Sequence, residues 1–210
     1  MKSGVVLVSG RGSNLRAIVE ADTGLEIRAV LSNRPEAPAL EWARARGLAT
    51  RVVDHKGFAS RDAFDARLAG EIAATGAELV LLAGFMRIFT PSFIERFPNR
   101  ILNIHPSQLP SFPGLHTHRQ ALAAGVKLHG CTVHIVTSTL DAGPIVAQAA
   151  VPVLPGDTPA TLAARVLAEE HRIYPAALGW LAAGRVRIEG GRAVVDGAAA
   201  PDGALRNPLP

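Results

Sequence analysis

Short apolar runs alternate along this chain with segments whose apolar residues recur at helical spacing. Val5–Val8 is a continuous apolar run, as expected of a strand buried on both faces. A Gly/Ser loop follows, and Leu15, Ile18 and Val19 then mark one face of a helix. Ile27–Leu31 reads as a second strand, and Pro38–Arg46 as a helix closed by Gly47. Val52–Val53 predicts a short strand. Asp62–Ala74 predicts a helix with Phe64, Leu68 and Ile72 on one face, stopped by Gly76. Leu79–Ala83 is a further buried strand. This order predicts an α/β fold, a mostly parallel open sheet with helices on both sides.

The second half adds a short helix over Pro91–Phe97, a strand over Ile101–Ile104, a proline-rich loop over 106–113 and a helix over Thr117–Ala124. Thr132–Val136 and Ile145–Val153 read as antiparallel strands. A long helix is expected over Thr158–Ala183, with Thr158 as its cap and Pro159 in its first turn. Pro175 is expected to kink or break it. Arg185–Ile188 and Ala193–Val195 predict a terminal hairpin. Residues 1–196 read as a single domain, and 197–210, rich in Ala, Pro and Gly, as a loose tail.

Composition narrows the function classes. Apolar residues make up 48% of the 210, a globular value. No run approaches the roughly 20 apolar residues that cross a bilayer, and Val5–Val8 is too short for a signal-peptide core. The expected location is the cytoplasm. Cys131 is alone, so no disulfide forms within the chain, and its apolar setting reads as packing. The net charge of +4 comes from scattered positives, of which only Lys2, Lys56 and Lys127 are lysines. No nucleic-acid tail is indicated, while a mild positive bias suits small anionic substrates.

The first loop, Ser9-Gly10-Arg11-Gly12-Ser13-Asn14-Leu15, joins a strand to a helix. Glycines let backbone approach an anion, and free N–H groups at a helix start point toward it. A dinucleotide fingerprint would place a third Gly at Leu15 and an acid near Asn33. A P-loop would end in Gly-Lys-Ser/Thr. Neither fits. A monophosphate held by Gly12, Ser13 and Asn14 remains, beside a plain tight turn with no ligand.

Asn103 and His105 lie two apart on the strand Ile101–Ile104 and its end, so their side chains share one face. An amide donor beside an imidazolium stabilises a developing oxyanion. Both can equally be buried groups satisfied by backbone. Asp141 sits in a turn, Leu140-Asp141-Ala142-Gly143-Pro144, between two strand-like runs. An acid beside His105 would favour the charged imidazole. His116 and His118 have a spacing that could present two metal ligands, but no Cys or acid cluster accompanies them, and no metal is expected.

Five segments, in order, carry a resemblance. They are Ser9-Gly10 with Gly12-Ser13-Asn14-Leu15, Ala83-Gly84-Phe85-Met86-Arg87-Ile88, Asn103-Ile104-His105-Pro106-Ser107, Pro113-Gly114-Leu115-His116-Thr117-His118-Arg119-Gln120, and Leu140-Asp141 with Gly143-Pro144. From Val5 to about Trp180 the chain resembles the glycinamide ribonucleotide formyltransferases, which use formyl-folate. Gln108 and Ala142 depart from the pattern, standing where Leu and Gly are expected.

The resemblance implies a Rossmann-like sheet of the formyltransferase type. It implies transfer of a formyl group from 10-formyltetrahydrofolate, as co-substrate, to the amine of glycinamide ribonucleotide in purine synthesis. Asn103 and His105 would bind the formyl oxygen, with His105 as general acid and Asp141 holding it. Gly12, Ser13 and Asn14 would cradle the substrate's phosphate, and Glu170 would contact the ribotide. Arg61, the backbone of Met86, Arg87, Ile88 and Phe89, and the loop with Thr137, Leu140 and Asp141 would line the folate pocket. The Leu109–Pro110 bond would be cis. The expected partners are two small molecules, with no nucleic acid and no membrane, and a monomer or homodimer as the acting form. Rival readings are a methionyl-tRNA formyltransferase, which needs a tRNA-binding domain where only a short stretch follows Trp180, and a formyl-folate hydrolase, which needs no phosphate cradle. A non-catalytic binding module on the same fold is a third.

Overall fold

The computed structural model describes residues 1–199, 203 and 205–207. Ser3–Val8 (β1), Glu26–Ser32 (β2), Thr50–Val52 (β3), Leu79–Leu82 (β4) and Ile101–His105 (β5) pair in parallel, and Leu128–Ile135 (β6) and Ile145–Pro152 (β7) add antiparallel strands at one side. The sheet order is β3-β2-β1-β4-β5-β6-β7. β1 and β4 are buried along their whole length. That is why Val5–Val8 and Leu79–Leu82 are unbroken apolar runs instead of alternating ones. Chain order reverses between β1 and β4, and loops leaving the carboxyl ends of strands at such a point form a ligand crevice.

Alternation along the strands splits the core into two layers. Val6, Val8, Leu81, Leu102, Ile104 and Val133 face one side. Ser13–Glu20 (α1), Pro38–Ala45 (α2), Thr117–Ala123 (α5) and Pro159–Ala182 (α6) pack there through residues such as Ile18, Leu40, Ala121 and Leu178. Val5, Leu7, Val80, Leu82 and Ile101 face the other side, where Arg61–Ala73 (α3) and Pro91–Arg96 (α4) contribute Phe64, Leu68, Ile72 and Phe93. Among the described residues these two are the α-helices that contribute to the second layer. Asn103 and His105 belong to this second face by alternation, beyond the part those helices cover.

Three expectations are corrected. β6 begins at Leu128, four residues before the expected start, because it pairs along its length with β7. β3 occupies Thr50–Val52, and Val53 bonds back to Ser32 O just past it. α6 runs unbroken through Pro175. An interior proline costs a helix about 3 kcal/mol. Here Pro175 and its neighbours Tyr174, Ala177 and Leu178 are buried, and Tyr174 donates its hydroxyl toward Leu82 O and Leu102 O, both at 3.2 Å. Packing on the sheet keeps the helix continuous across the missing bond.

Val186–Glu189 (β8) and Arg192–Val195 (β9) form the expected antiparallel hairpin. Of the tail from 197, residues 200–202, 204 and 208–210 lie outside the described residues. Within it, Asn207 donates to Lys127 O and Val153 O at 2.7 and 2.8 Å. None of the helices among the described residues is long and apolar enough to cross a membrane.

A histidine pair, His129 buried and His118 half-buried, joins α5 to β6. His118 Nδ1 lies 3.2 Å from His129 Nε2. Burial, with His118 second, pushes His129 down to about 4. In the unfolded chain it titrates near 6.5. Between these values the unfolded state binds the extra proton, so stability is complete above pH 6.5 and falls as pH drops. By pH 5, His129 alone removes about 2 kcal/mol. The urea midpoint is expected to fall between pH 7 and pH 5, and to fall less in His129→Gln. Equal falls in both proteins would rule the histidine out as the cause.

Candidate active site

β5 carries Asn103 and His105, and its antiparallel neighbour β6 sets His134 opposite Asn103 and Thr132 opposite His105. Directly paired residues share a face, so the four side chains form one polar patch. The turn after β6 brings Asp141 over this patch. Asp141 adopts φ 51°, a left-handed conformation that Asp tolerates. Two residues on, a side chain on Gly143 would meet Ile135 O at 1.8 Å, so only glycine fits the return path. Ala142 is exposed with an ordinary φ, and the departure from glycine there costs the turn nothing.

Asp141 connects the patch. Its Oδ2 accepts from Gly114 N at 2.8 Å and lies 3.6 Å from His105 Nδ1. Its Oδ1 lies 3.8 Å from His134 Nε2. His105 Nε2 lies 3.1 Å from Phe112 O. A carbonyl only accepts, which assigns the proton to Nε2 and leaves Nδ1 as the nitrogen that faces Asp141. The same argument applies to His134, whose Nδ1 lies 3.1 Å from Ile135 O. Burial holds its imidazole below the usual range, so it stays neutral and its Nε2 accepts from Asn103 Nδ2 at 3.2 Å. This fixes the Asn103 carboxamide and leaves its second N–H for a ligand.

The loop from Pro106 to His116 is tied down beside these groups. Thr132 Oγ1 accepts from Leu109 N at 3.0 Å and donates to Ser107 O at 2.7 Å, and Gln148 donates to Leu109 O at 2.7 Å. The Leu109–Pro110 bond is cis. His116 and His118 do not converge: His116 is exposed at the start of α5, while His118 faces His129. Among the described residues no group of three or more His, Cys, Asp or Glu is arranged for a metal.

A second cluster lies at the carboxyl end of β1. Gly12 precedes α1 at φ 74°, and no side chain caps the helix. The first intrahelical bond is Arg16 N to Gly12 O, so the N–H groups of Ser13, Asn14 and Leu15 have no partner within the helix. Asn14 Nδ2 donates to Glu170 Oε2 at 2.7 Å, joining α1 to α6. Burial raises the Glu170 carboxyl above its usual range, and the Asn14 bond opposes this.

The remaining predicted positions are spread over two loops. After β4, Phe85 and Phe89 turn inward and stack at 5.5 Å, and Phe89 stacks on Phe93 at 4.0 Å. The alternate residues Met86 and Ile88 are 60% and 58% exposed, unusual for large apolar side chains. Arg87 is half-buried with its guanidinium over Phe64. Thr137 bonds to Thr139 O within the loop of Asp141, and Leu140 is exposed there. Arg61 is exposed in the first turn of α3. Asn103, His105 and Asp141 thus meet, as do Asn14 and Glu170; Arg61 contacts none of them.

Sequence reasoning missed His134. Thr132 and His134 stand two apart on β6, like Asn103 and His105 on β5, but only the register between the two strands brings the four together.

The sequence profile of the formyl transferase family matches residues 2–178. The chain belongs to the formyl transferase family. Relatives within it include the phosphoribosylglycinamide formyltransferase of Escherichia coli, 48% identical over 201 residues, covering 94% of this chain and 95% of that protein. The enzyme of the same name from Haemophilus influenzae is 38% identical and covers 99% of this chain and 100% of its own length. Among solved structures, glycinamide ribonucleotide transformylase 1 from Symbiobacterium toebii superposes with a TM-score of 0.90 at 51% identity, covering 93% of this chain and 94% of that one.

Proposed function

We propose that this formyl transferase is a phosphoribosylglycinamide formyltransferase. It moves the formyl group of 10-formyltetrahydrofolate to the amine of glycinamide ribonucleotide, in the cytoplasm, as a step of purine synthesis. The observation that carries this reading is the near full-length likeness to the Escherichia coli enzyme of that name, in a chain where Asn103, His105 and Asp141 converge.

The neutral amine of the ribotide attacks the formyl carbon. The free N–H of Asn103 and the protonated His105 stabilise the oxyanion that forms. His105 holds Phe112 O through its Nε2 proton, so Nδ1, beside Asp141, is the nitrogen that takes up and gives back a proton in the reaction. The amine gives up one proton and the folate N10 receives one as the carbon–nitrogen bond breaks, with water near Asp141 as carrier. The exposed apolar pair Met86 and Ile88, with Leu140 on the Asp141 loop, offers a platform for the rings of the folate, and on this reading Arg61, Arg87, Phe89 and Thr137 serve the same subsite. The uncapped start of α1 at Gly12, Ser13 and Asn14 receives the phosphate, and Glu170 takes a ribose hydroxyl. A metal has no part in these steps.

The test follows absorbance as 10-formyl-folate is deformylated, with and without the ribotide. Turnover that requires the ribotide supports the transferase. Turnover at the same rate without it points to a hydrolase instead.

The phosphate subsite has its own test. A Cβ on Gly12 would sit 2.6 Å from Ala39 Cβ, in a backbone conformation that L side chains rarely adopt. Gly12→Ala is expected to raise the KM for the ribotide about tenfold or more and to leave kcat less affected. An unchanged ribotide KM would place the phosphate elsewhere.

A further inference from the structure

The segment between β4 and α4 has no regular secondary structure, yet it presents Met86 and Ile88 outward in a fixed alternation with buried Phe85 and Phe89. Loop backbone of this kind needs partners for its N–H groups. Both ends of the segment find them on buried side chains from elsewhere in the chain.

At the first end, Ser9 follows β1 and is 4% exposed. Its hydroxyl accepts from Met86 N at 2.8 Å and donates to Asn33 Oδ1 at 2.6 Å, using both functions of the group. Ser9 N also donates to Gly84 O at 3.2 Å. Asn33 is 2% exposed and is held in turn by His55, whose Nδ1 lies 2.8 Å from Asn33 O. At the other end, Asp65 on α3 is 2% exposed. Its Oδ2 accepts from Thr90 N at 2.7 Å, while its Oδ1 has no protein partner. A buried carboxylate is costly unless its bonds are well made, and this one spends its short bond on the backbone of the segment. Ser9 has a second connection. It stands immediately before the Gly10–Asn14 loop, at the point where strand order reverses between β1 and β4.

We infer that Ser9 and Asp65 are positioning residues that clamp the two ends of the Met86–Phe89 platform, and that Ser9 makes the platform and the phosphate loop share one support. The inference rests on the reading of that platform as the formyl-folate side of the site. Neither residue touches substrate. Asp65 acts on the platform alone, and Ser9 acts on both subsites.

Steady-state kinetics on the full chain, with each substrate varied in turn, separate these roles. Asp65→Ala is expected to raise the KM for 10-formyl-folate about tenfold and to leave the ribotide KM within about twofold. Asp65→Asn, which keeps an acceptor for Thr90 N, restores most of the loss. Ser9→Ala is expected to raise both KM values. A general loosening of the fold would lower kcat or yield without this split between substrates. Ile88→Asp serves as the control for the platform itself. If it raises the formyl-folate KM while Asp65→Ala and Ser9→Ala, both folded by thermal melting, leave it unchanged, the clamp is overturned and the platform stands. If Ile88→Asp also leaves it unchanged, the platform reading fails and the clamp falls with it. Should Asp65→Ala not fold, Ser9→Ala decides the matter, since an unchanged formyl-folate KM there overturns the clamp equally.

Discussion

Replacing His105 with Ala is expected to lower kcat by about three to four orders of magnitude, the scale of losing an acid–base group that also steadies an oxyanion. The residue is 5% exposed, and its two nitrogens have separate partners, Phe112 O and Asp141. The substitution therefore removes the proton carrier and the cation together. It leaves the platform and the phosphate loop in place, so neither KM should rise more than about tenfold. Single-turnover measurement with both substrates saturating reads the chemical step directly. Near-wild-type turnover would remove His105 from the mechanism.

Asp141→Ala carries the second large effect, a loss of about two to four orders in kcat. Asp141 touches three groups at once: Gly114 N, His105 and His134. Without it the imidazole loses its counter-charge, and the loop that holds Phe112 loses an anchor at Gly114. Asp141→Asn separates these roles. Asn tolerates φ 51° and still offers an oxygen to Gly114 N, but carries no charge. It is expected to keep the stability of the parent while losing most of the rate. Equal rates in Asp141→Asn and the parent would show that the carboxylate acts only as a loop anchor.

Much of the fold was legible because the central parallel strands carry continuous apolar runs and the helices between them carry clear faces. β1, β4 and β5 fall where their apolar runs do. Legibility failed where the decisive contact was long-range. The continuity of α6 through Pro175 depends on Tyr174 reaching Leu82 and Leu102 on the sheet, which local propensity does not encode. The extra turn of pairing at the start of β6 depends on β7 lying beside it. In the site, Asn103 and His105 were readable from their two-residue spacing, and the five ordered segments pointed to Asp141. His134 was not singled out, because its importance comes from strand register and not from any local motif. Ser9 and Asp65 were opaque for the same reason: each serves a backbone N–H that is 77 or 25 residues away in the chain.

The most direct test of formyl transfer by this chain follows the carbon itself. 10-Formyl-folate carrying a carbon-13 label in its formyl group is mixed with glycinamide ribonucleotide and the protein, and the product is read by NMR. The proposed function requires the label to appear in the formamide of the ribotide, one equivalent for each folate consumed. Label appearing as free formate, with the ribotide unchanged, would contradict it.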